Sequence, residues 1–421
     1  MVDKRPPPTP FHIGRLHASK SQSQVNALFF SEDNERVFSG DGKGYVACTS
    51  TRTFRPIAVW QAHKDTILAL CEWDGKILTR HTLPFLRHIR PRHGRDNKLH
   101  VWSPISALPI AVAESASTPS QDSTQPKILY SLDVNSLNFC RFSLLPLPAS
   151  LQRENEGLEA LVAVPNLAES EFTDVWSLPG LNRIHAAIGK EYDSLGTFSG
   201  RARDILGIIM AQHLYHEDVE IKGKSQKQLR VVSAYEDGSV SLFARTDTFF
   251  SRSVEGQGWT RLWNIKAHVE SVMAICVSSD SSFVLTVSAD HLIGKILLTV
   301  SFALRTDTYR TKHPGNACIS LRCDDRICAV GGWDGKIRLY SVKTFKSLGT
   351  LSYHPEAIHA LCFAHSNSNN RIQPVSMDED GDEDDEYTKS DLEARTRWLV
   401  SGGKEGRIAF WRLDSFERGK H

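Results

Sequence analysis

The chain has 421 residues, 40% of them apolar and 24% charged, with 50 Lys and Arg against 49 Asp and Glu for a formal net charge of +1. These values are ordinary for a soluble globular protein and exclude collagen-like or polyelectrolyte chains. The near-zero charge hides a segregation: DEDGDEDDE (378–386) holds 8 of the 49 acids, leaving 41 acids to face 50 bases elsewhere.

Residues 1–9 form a polar, Pro-rich arm, and PFHIGRL (10–16) reads as a short strand standing before the first full unit. His17 then leads VNALFFSEDNERVFSGDGKGYVACTS, apolar alternation broken by an Asp-Gly turn. His63 leads KDTILALCEW and KILTR, and the unit resumes at RDNKLHVWSP (95–104). A third unit runs from ILYSLDVNSLNFCRFSLL to LEALVAVPNLAESEFTDVWSL, and a fourth from DILGIIMAQHLY to LRVVSAYEDGSVSLFAR; neither has a clear leading His. His268, His313 and His354 lead the fifth to seventh units, which contain SADHLIGKILL, GGWDGKIRLY and KEGRIAFW. Leading histidines are 46 apart (17 to 63), 45 apart (268 to 313) and 41 apart (313 to 354).

A period in the forties with four short strands per unit predicts an all-β fold, a single seven-bladed β-propeller. A four-stranded blade cannot bury both faces alone, so apolar positions recur until neighbours stack. The expected blades span about 10–62, 63–110, 127–186, 200–248, 259–308, 309–352 and 353–414, followed by a tail at 415–421. Because the chain stops soon after IAFWRL, residues 10–16 are expected to supply the outer strand of the last blade and close the ring.

The ordered series resembles the WD-repeat family. Ala62-His63, Ala267-His268, Lys312-His313 and Tyr353-His354 stand where that family has Gly-His, and Trp102-Ser103 and Trp411-Arg412 where it has Trp-Asp. In that family such groups form a structural hydrogen-bond network, tying the loop before the first strand to the hairpin between the second and third. The resemblance thus implies a bracing role for His63, Asp96, Trp102, His268, Asp290, His313, Asp334, His354 and Trp411.

Other motifs do not assemble into chemistry. No Gly-x-Ser-x-Gly elbow occurs, and GKS at 223–225 has Asp218 where a phosphate loop needs Gly. The histidines of HLYH (213–216) are expected in an exposed loop rather than on a metal, and the acidic run lacks the spacing of a Ca²⁺ loop. The eight cysteines contain no Cys-x-x-Cys pair and read as buried thiols of a reducing compartment. No sequon occurs, MVDKRPPPTP lacks the apolar core of a secretory signal, and Ile296 to Leu304 is about half of a bilayer span. We therefore expect no catalytic residues, cofactor or metal.

Two insertions interrupt the repeat. HTLPFLRHIRPRHG (81–94) is basic, with Arg80 and Arg95 flanking Arg87, Arg90 and Arg92, and its prolines forbid a continued ladder. It reads as an insertion tolerated at a loop tip, the alternative being a partner-binding loop. Residues 366–394 carry Asp378, Glu379, Asp380, Asp382 and Glu383, with few large apolar residues. They read as a disordered, solvated spacer, the alternative being a segment that engages a basic surface such as histone tails.

More specific phrases narrow the family. SGDGKGYVACTSTRTFRPIAVWQAH, GRDNKLHVW, YSLDVNSLNFCRFS, LPGLNRIHAAIGK and GGWDGKIRLYSVKT resemble the ASTRA-associated protein 1 family of fungal WD-repeat proteins, over about residues 6 to 413. The chain departs from that family at 82–93 and in its fifth unit, SADHLIGKILLTVSFAL, which ends without Trp, so an irregular hairpin is expected there. The resemblance implies a non-enzymatic subunit of the ASTRA assembly, located in the nucleus and secondarily the cytoplasm. It links the chain to chromatin remodelling and to maturation of phosphatidylinositol-3-kinase-related kinases, with protein subunits as partners and no membrane, nucleic acid or small-molecule substrate. Two other classes fit less well. A G-protein β-like subunit would want an N-terminal coiled coil, for which residues 1–24 are too short and lack heptads. A propeller enzyme would need titratable groups converging on the channel.

Overall fold

The computed structural model describes residues 8–15, 23–81, 97–105, 125–154, 157–190, 207–221, 224–246, 251–298, 306–366 and 393–413. In chain order a short strand β1 (His12–Arg15) precedes blade 1, made of β2 (Val25–Phe30), β3 (Arg36–Asp41), β4 (Tyr45–Ser50) and β5 (Pro56–Gln61). Blade 2 is β6 (Ile67–Trp73), β7 (Lys76–His81), β8 (Lys98–Trp102) and β9 (Ile128–Asp133). Blade 3 is β10 (Ser143–Pro146), a short helix α1 (Ala149–Glu154), β11 (Leu158–Pro165), β12 (Thr173–Pro179) and β13 (Arg183–Ile188). Blade 4 is β14 (Ile209–Ile221), β15 (Lys224–Tyr235), β16 (Ser239–Arg245) and β17 (Trp259–Lys266). Blade 5 is β18 (Val272–Val277), β19 (Phe283–Ser288), β20 (Leu292–Leu297) and β21 (Thr306–Arg310). Blade 6 is β22 (Asn316–Leu321), β23 (Ile327–Gly332), β24 (Lys336–Ser341) and β25 (Ser347–Ser352). Blade 7 holds β26 (Ile358–Phe363), β27 (Trp398–Gly403) and β28 (Arg407–Arg412).

Each blade is a four-stranded antiparallel meander, and the seventh is completed by β1, which pairs with β28 from His12↔Phe410 to Arg15↔Arg407. The ring therefore closes through its N-terminal strand, as expected, with Phe11 held 4.8 Å from the Trp398 ring. This pairing covers the one edge that a linear array of blades would leave open.

The hydrophobic core consists of seven separate layers, one at each junction between blades. Phe38 and Trp60 pack with Ile67 and Trp102 between blades 1 and 2. Leu78 and Leu99 meet Ala160 and Val162 between blades 2 and 3. Leu161 and Val175 meet Leu229 and Phe243 between blades 3 and 4. Equivalent layers join blades 4 and 5, 5 and 6, 6 and 7, and 7 and 1. A middle strand such as β19, FVLTVS, is consequently buried on both faces, which explains its nearly continuous apolar run.

Three details differ from the sequence reading. The strand ILYSLD is the outer strand of blade 2, since β9 pairs with β8; residue 127 therefore does not open the third sheet. The fifth hairpin, which ends without Trp, is regular, because Ile296 fills the junction layer beside Val284. HLYH is not a loop: β14 and β15 form a continuous ribbon from Ile209↔Tyr235 to Ile221↔Lys224 that contains both histidines.

Candidate interaction site at the upper mouth of the channel

The first strand of every blade begins at what we call the upper face and runs along the central channel. In three blades a histidine sits just before that strand. The His63 N–H donates to Gly44 O in the β3–β4 turn of blade 1 at 3.0 Å, while its Nε2 lies 2.7 Å from Thr79 Oγ1 in blade 2. Trp102 Nε1 donates to the same hydroxyl oxygen at 2.9 Å. His268 repeats this, its N–H donating to Gly238 O of blade 4 and its ring lying between Thr286 and Asp290 of blade 5. His354 Nε2 and Trp411 Nε1 both meet Ser401 Oγ at 2.8 Å, and His354 Nδ1 bonds to Glu405.

His63 and His268 are thus staples between neighbouring blades, main chain to one and ring to the next, whereas the His354 ring bonds within blade 7. The turns that receive the staples need glycine: Gly44 and Gly238 have φ of +84° and +92°, and a Cβ would fall 2.1 and 2.4 Å from His63 O and His268 O. Burial lowers the His268 pKa, so at neutral pH the ring donates from Nδ1 to Asp290 (3.0 Å) and accepts the Thr286 hydroxyl at Nε2 (2.7 Å). Hydroxyl, imidazole and carboxylate are arranged as in a hydrolase triad, but Thr286, His268 and Asp290 are all buried away from any substrate.

The sixth blade breaks the pattern. His313 is exposed and does not join a brace, and Asp334 pairs instead with Arg338 Nη2 at 2.5 Å. The reason is local. Val330 faces Arg338 across the strands where Ser401 faces Ala409, so no hydroxyl is present to receive an imidazole. Asn316 supplies the tie instead, donating from Nδ2 to Asp290 O of blade 5 at 3.1 Å.

Arg80, read from sequence as part of the basic insertion, is a buried residue at the end of β7. Its guanidinium donates to the carbonyls of Cys140, Asn135 (3.4 Å) and Asn138 (3.1 Å). Asn135 and Asn138 reach onward to Asn166 O (2.7 Å) and Ile209 O (3.0 Å). The loop between β9 and β10 is therefore pinned from three sides. At its end Arg141 extends across the channel mouth, donating from Nη2 to Asn26 O (3.3 Å) in blade 1 and His359 O (3.4 Å) in blade 7.

Below Arg141 the channel encloses about 440 Å³, walled by residues such as Leu28, Leu70, Phe142, Met210 and Ile275. His213 lines it and is pushed down to about 4 by burial. Around the lower mouth stand Glu32, Glu72 and Asp325. Burial pushes the thiols of Cys48, Cys140, Cys318 and Cys328 up to about 12, and all eight cysteines are free. Among the described residues no His, Cys, Asp or Glu group is arranged to hold a metal ion.

Asp96, Arg87, Arg90, Arg92, Asp378, Glu379, Asp380, Asp382 and Glu383 lie outside the described residues. Sequence reasoning missed the hydroxyls Thr79, Thr286 and Ser401 as hubs. A usable signal exists: they lie 16 and 18 residues after the His, and ten before the Trp. Arg141, Asn135 and Asn138 carry no such signal, because their roles arise from contacts between blades.

The WD domain, G-beta repeat family matches residues 259–293, the stretch that contains His268, Thr286 and Asp290. Along the full length the chain is similar to ASTRA-associated protein 1 of Penicillium rubens, at 30% identity over 97% of this chain and 98% of that protein. It is likewise similar to the proteins of that name from Aspergillus niger (28%, 97% and 98%) and Schizosaccharomyces pombe (28%, 86% and 95%). With seven blades, braced junctions and a full-length relative at this identity, the chain belongs to the ASTRA-associated protein 1 family of WD-repeat propellers.

Proposed function

We propose that the protein is a non-enzymatic interaction platform acting as a subunit of an ASTRA assembly, as the name of its relatives indicates for them. The observation that carries this reading is the likeness over 97% of the chain, which includes the loops as well as the blades. The geometry agrees: the groups that look catalytic are consumed in staples, and the ring holds its upper loops in fixed positions. In this reading the protein works in the nucleus, contributes to chromatin remodelling, and supports maturation of phosphatidylinositol-3-kinase-related kinases. Its partners are proteins rather than nucleic acid, membrane or a small substrate.

The test is purification of the tagged chain from its native cells and identification of the proteins recovered in fixed ratio. The expected result is a set shared with tagged ASTRA subunits. Recovery of only G-protein γ-type signalling partners would overturn it.

A further inference from the structure

We propose that the upper mouth of the channel recognises an acidic side chain of a partner peptide, with Arg141 as the anion-binding group and Asn26 Nδ2 as a second donor. The inference rests on the reading of the chain as a platform, but not on which assembly it serves.

Charge comes first. Arg141 is exposed at the mouth, and among the described residues its bonds are two long ones to main-chain carbonyls, leaving most of its five donors unspent there. Among the described residues it has no carboxylate partner. Of the acids on the upper rim, Asp237 pairs with Lys266 at 3.3 Å and Glu356 with Lys404 at 3.7 Å, while Glu270 beside Val269 stays exposed. The opposite mouth is acidic, so the two ends of the channel attract opposite charges.

A second observation points to a ligand. Asn26 Oδ1 accepts from His359 Nδ1 at 3.0 Å, yet its buried Nδ2 has no partner. Buried donors are normally satisfied, and this one belongs to the residue whose carbonyl accepts from Arg141. A carboxylate placed here would receive the guanidinium and the amide together, a charge-assisted pairing that the free protein lacks.

The surroundings define the rest of the peptide. On the same face Leu137, Val269 and Trp333 are 76%, 78% and 52% exposed. Leu137 stands on the pinned loop that ends in Arg141, and Trp333 is braced against Gly315, its N–H donating to Gly315 O at 2.8 Å. Large apolar groups held rigidly around one cation fit a segment that alternates acidic and aliphatic residues.

The test uses the full chain and immobilised short peptides built from Leu, Ser and Glu, with matched sets in which Gln or Lys replaces Glu. The wild type is expected to bind the Glu set over both others. Arg141→Gln should weaken that binding about 10- to 100-fold, the worth of a charge-assisted pair. Arg141→Glu should transfer the preference to the Lys set, which a merely structural arginine would not do. Melting curves establish that each variant folds; should either fail, Asn26→Ala and Arg141→Lys replace them, with a loss of several-fold expected. Equal binding of the Glu and Gln sets, preference for Lys by the wild type, no binding to any set, or an unchanged preference in the variants would each overturn the proposal. A Glu preference that depends on Arg141, found in a chain that recovers no ASTRA subunits, would refute the assembly and leave this site standing.

Discussion

Removing one hydroxyl from blade 7 tests whether the buried histidine brace stabilises the propeller. Ser401 is fully buried and its Oγ is shared by Trp411 Nε1 and His354 Nε2, both at 2.8 Å. In Ser401→Ala both nitrogens stay buried and lose a partner, at roughly 1–3 kcal/mol each, offset in part because the hydroxyl no longer has to be desolvated. The expected net loss is about 3 kcal/mol. With an unfolding entropy of roughly 2.1 cal/mol/K per residue, that lowers the melting temperature of a chain of this size by about 3–4 °C. Urea titration measures the free energy and calorimetry the midpoint. The converse substitution, Val330→Ser in blade 6, should also destabilise, by about 1–2 kcal/mol, because it buries a hydroxyl where no imidazole waits. A cycle with Trp411→Phe separates the hydrogen bond from lost volume, and the coupling should exceed about 1 kcal/mol. Additivity of the two changes, or a cost below about 0.5 kcal/mol for Ser401→Ala, would refute the reasoning.

Other outcomes follow from the same geometry. Burial depresses His185 to about 3 and His213 to about 4, so the unfolded chain takes up protons that the folded one refuses. Stability should be full above pH ~6.5 and fall toward pH 4; His213→Gln should flatten that slope by up to ~1.4 kcal/mol per pH unit in urea titrations, and an unchanged slope would contradict the assignment. Arg80→Met should cost about 3 kcal/mol or more and speed hydrogen exchange at the amides of Leu137 and Cys140, which Asn135 and Asn138 hold in the pinned loop. Deleting residues 1–15 removes β1 and bares the edge of β28, so size-exclusion chromatography should show self-association, whereas a chain lacking only residues 1–9 should remain unaffected. With thiols held near 12, Cys48, Cys140, Cys318 and Cys328 should react with a thiol reagent at pH 8 only after denaturation.

What could be read before folding was whatever repeats. VNALFF, ILALCEW and IHALCF announce inner strands by alternation, and Asp237-Gly238 or Asp334-Gly335 announce the hairpins that follow. The closing strand was legible for a different reason: a short apolar run had no unit of its own to join, and β28 had no outer neighbour. What stayed hidden depends on pairs that no local pattern encodes. ILYSLD looks the same whether it opens one sheet or finishes the one before, and only its register with β8 decides. His313 leads its unit much as His268 does, but it stands three residues before β22 where His268 stands four before β18, and Val330 takes the place of the Thr286 hydroxyl. Arg80 reads as one cation among several until the carbonyls of a loop about 60 residues away surround it.

The staples also show what the degenerate repeat retains. A propeller of separate junction layers is only as cohesive as its weakest junction, since each blade packs its apolar faces against two neighbours. Apolar layers resist separation but tolerate sliding, so a polar tie that fixes register is needed at the junction. Two junctions use a histidine, 1–2 and 4–5, and at 6–7 the Phe363 N–H donates to Ser320 Oγ at 3.2 Å. Asn316 serves between blades 5 and 6, Arg80 between 2 and 3, and Gln212 between 3 and 4, donating to Ala163 O at 3.0 Å and accepting from Thr173 at the same distance. The substitutes differ in chemistry and in place, since Asn316 and Arg80 reach an upper turn or loop whereas Gln212 joins strand β14 to β11 and β12. Between blades 7 and 1 the tie is Asn34, donating to His365 O at 2.9 Å and accepting from its N–H at 2.8 Å. What is preserved is therefore a polar tie, and the His-Asp-Trp signature is one way of making it. Blades whose tie has moved to Asn, Gln or Arg escape a search for the signature while staying in the ring. The stretch that the family model matches, residues 259–293, is one where the His268, Thr286 and Asp290 brace is intact.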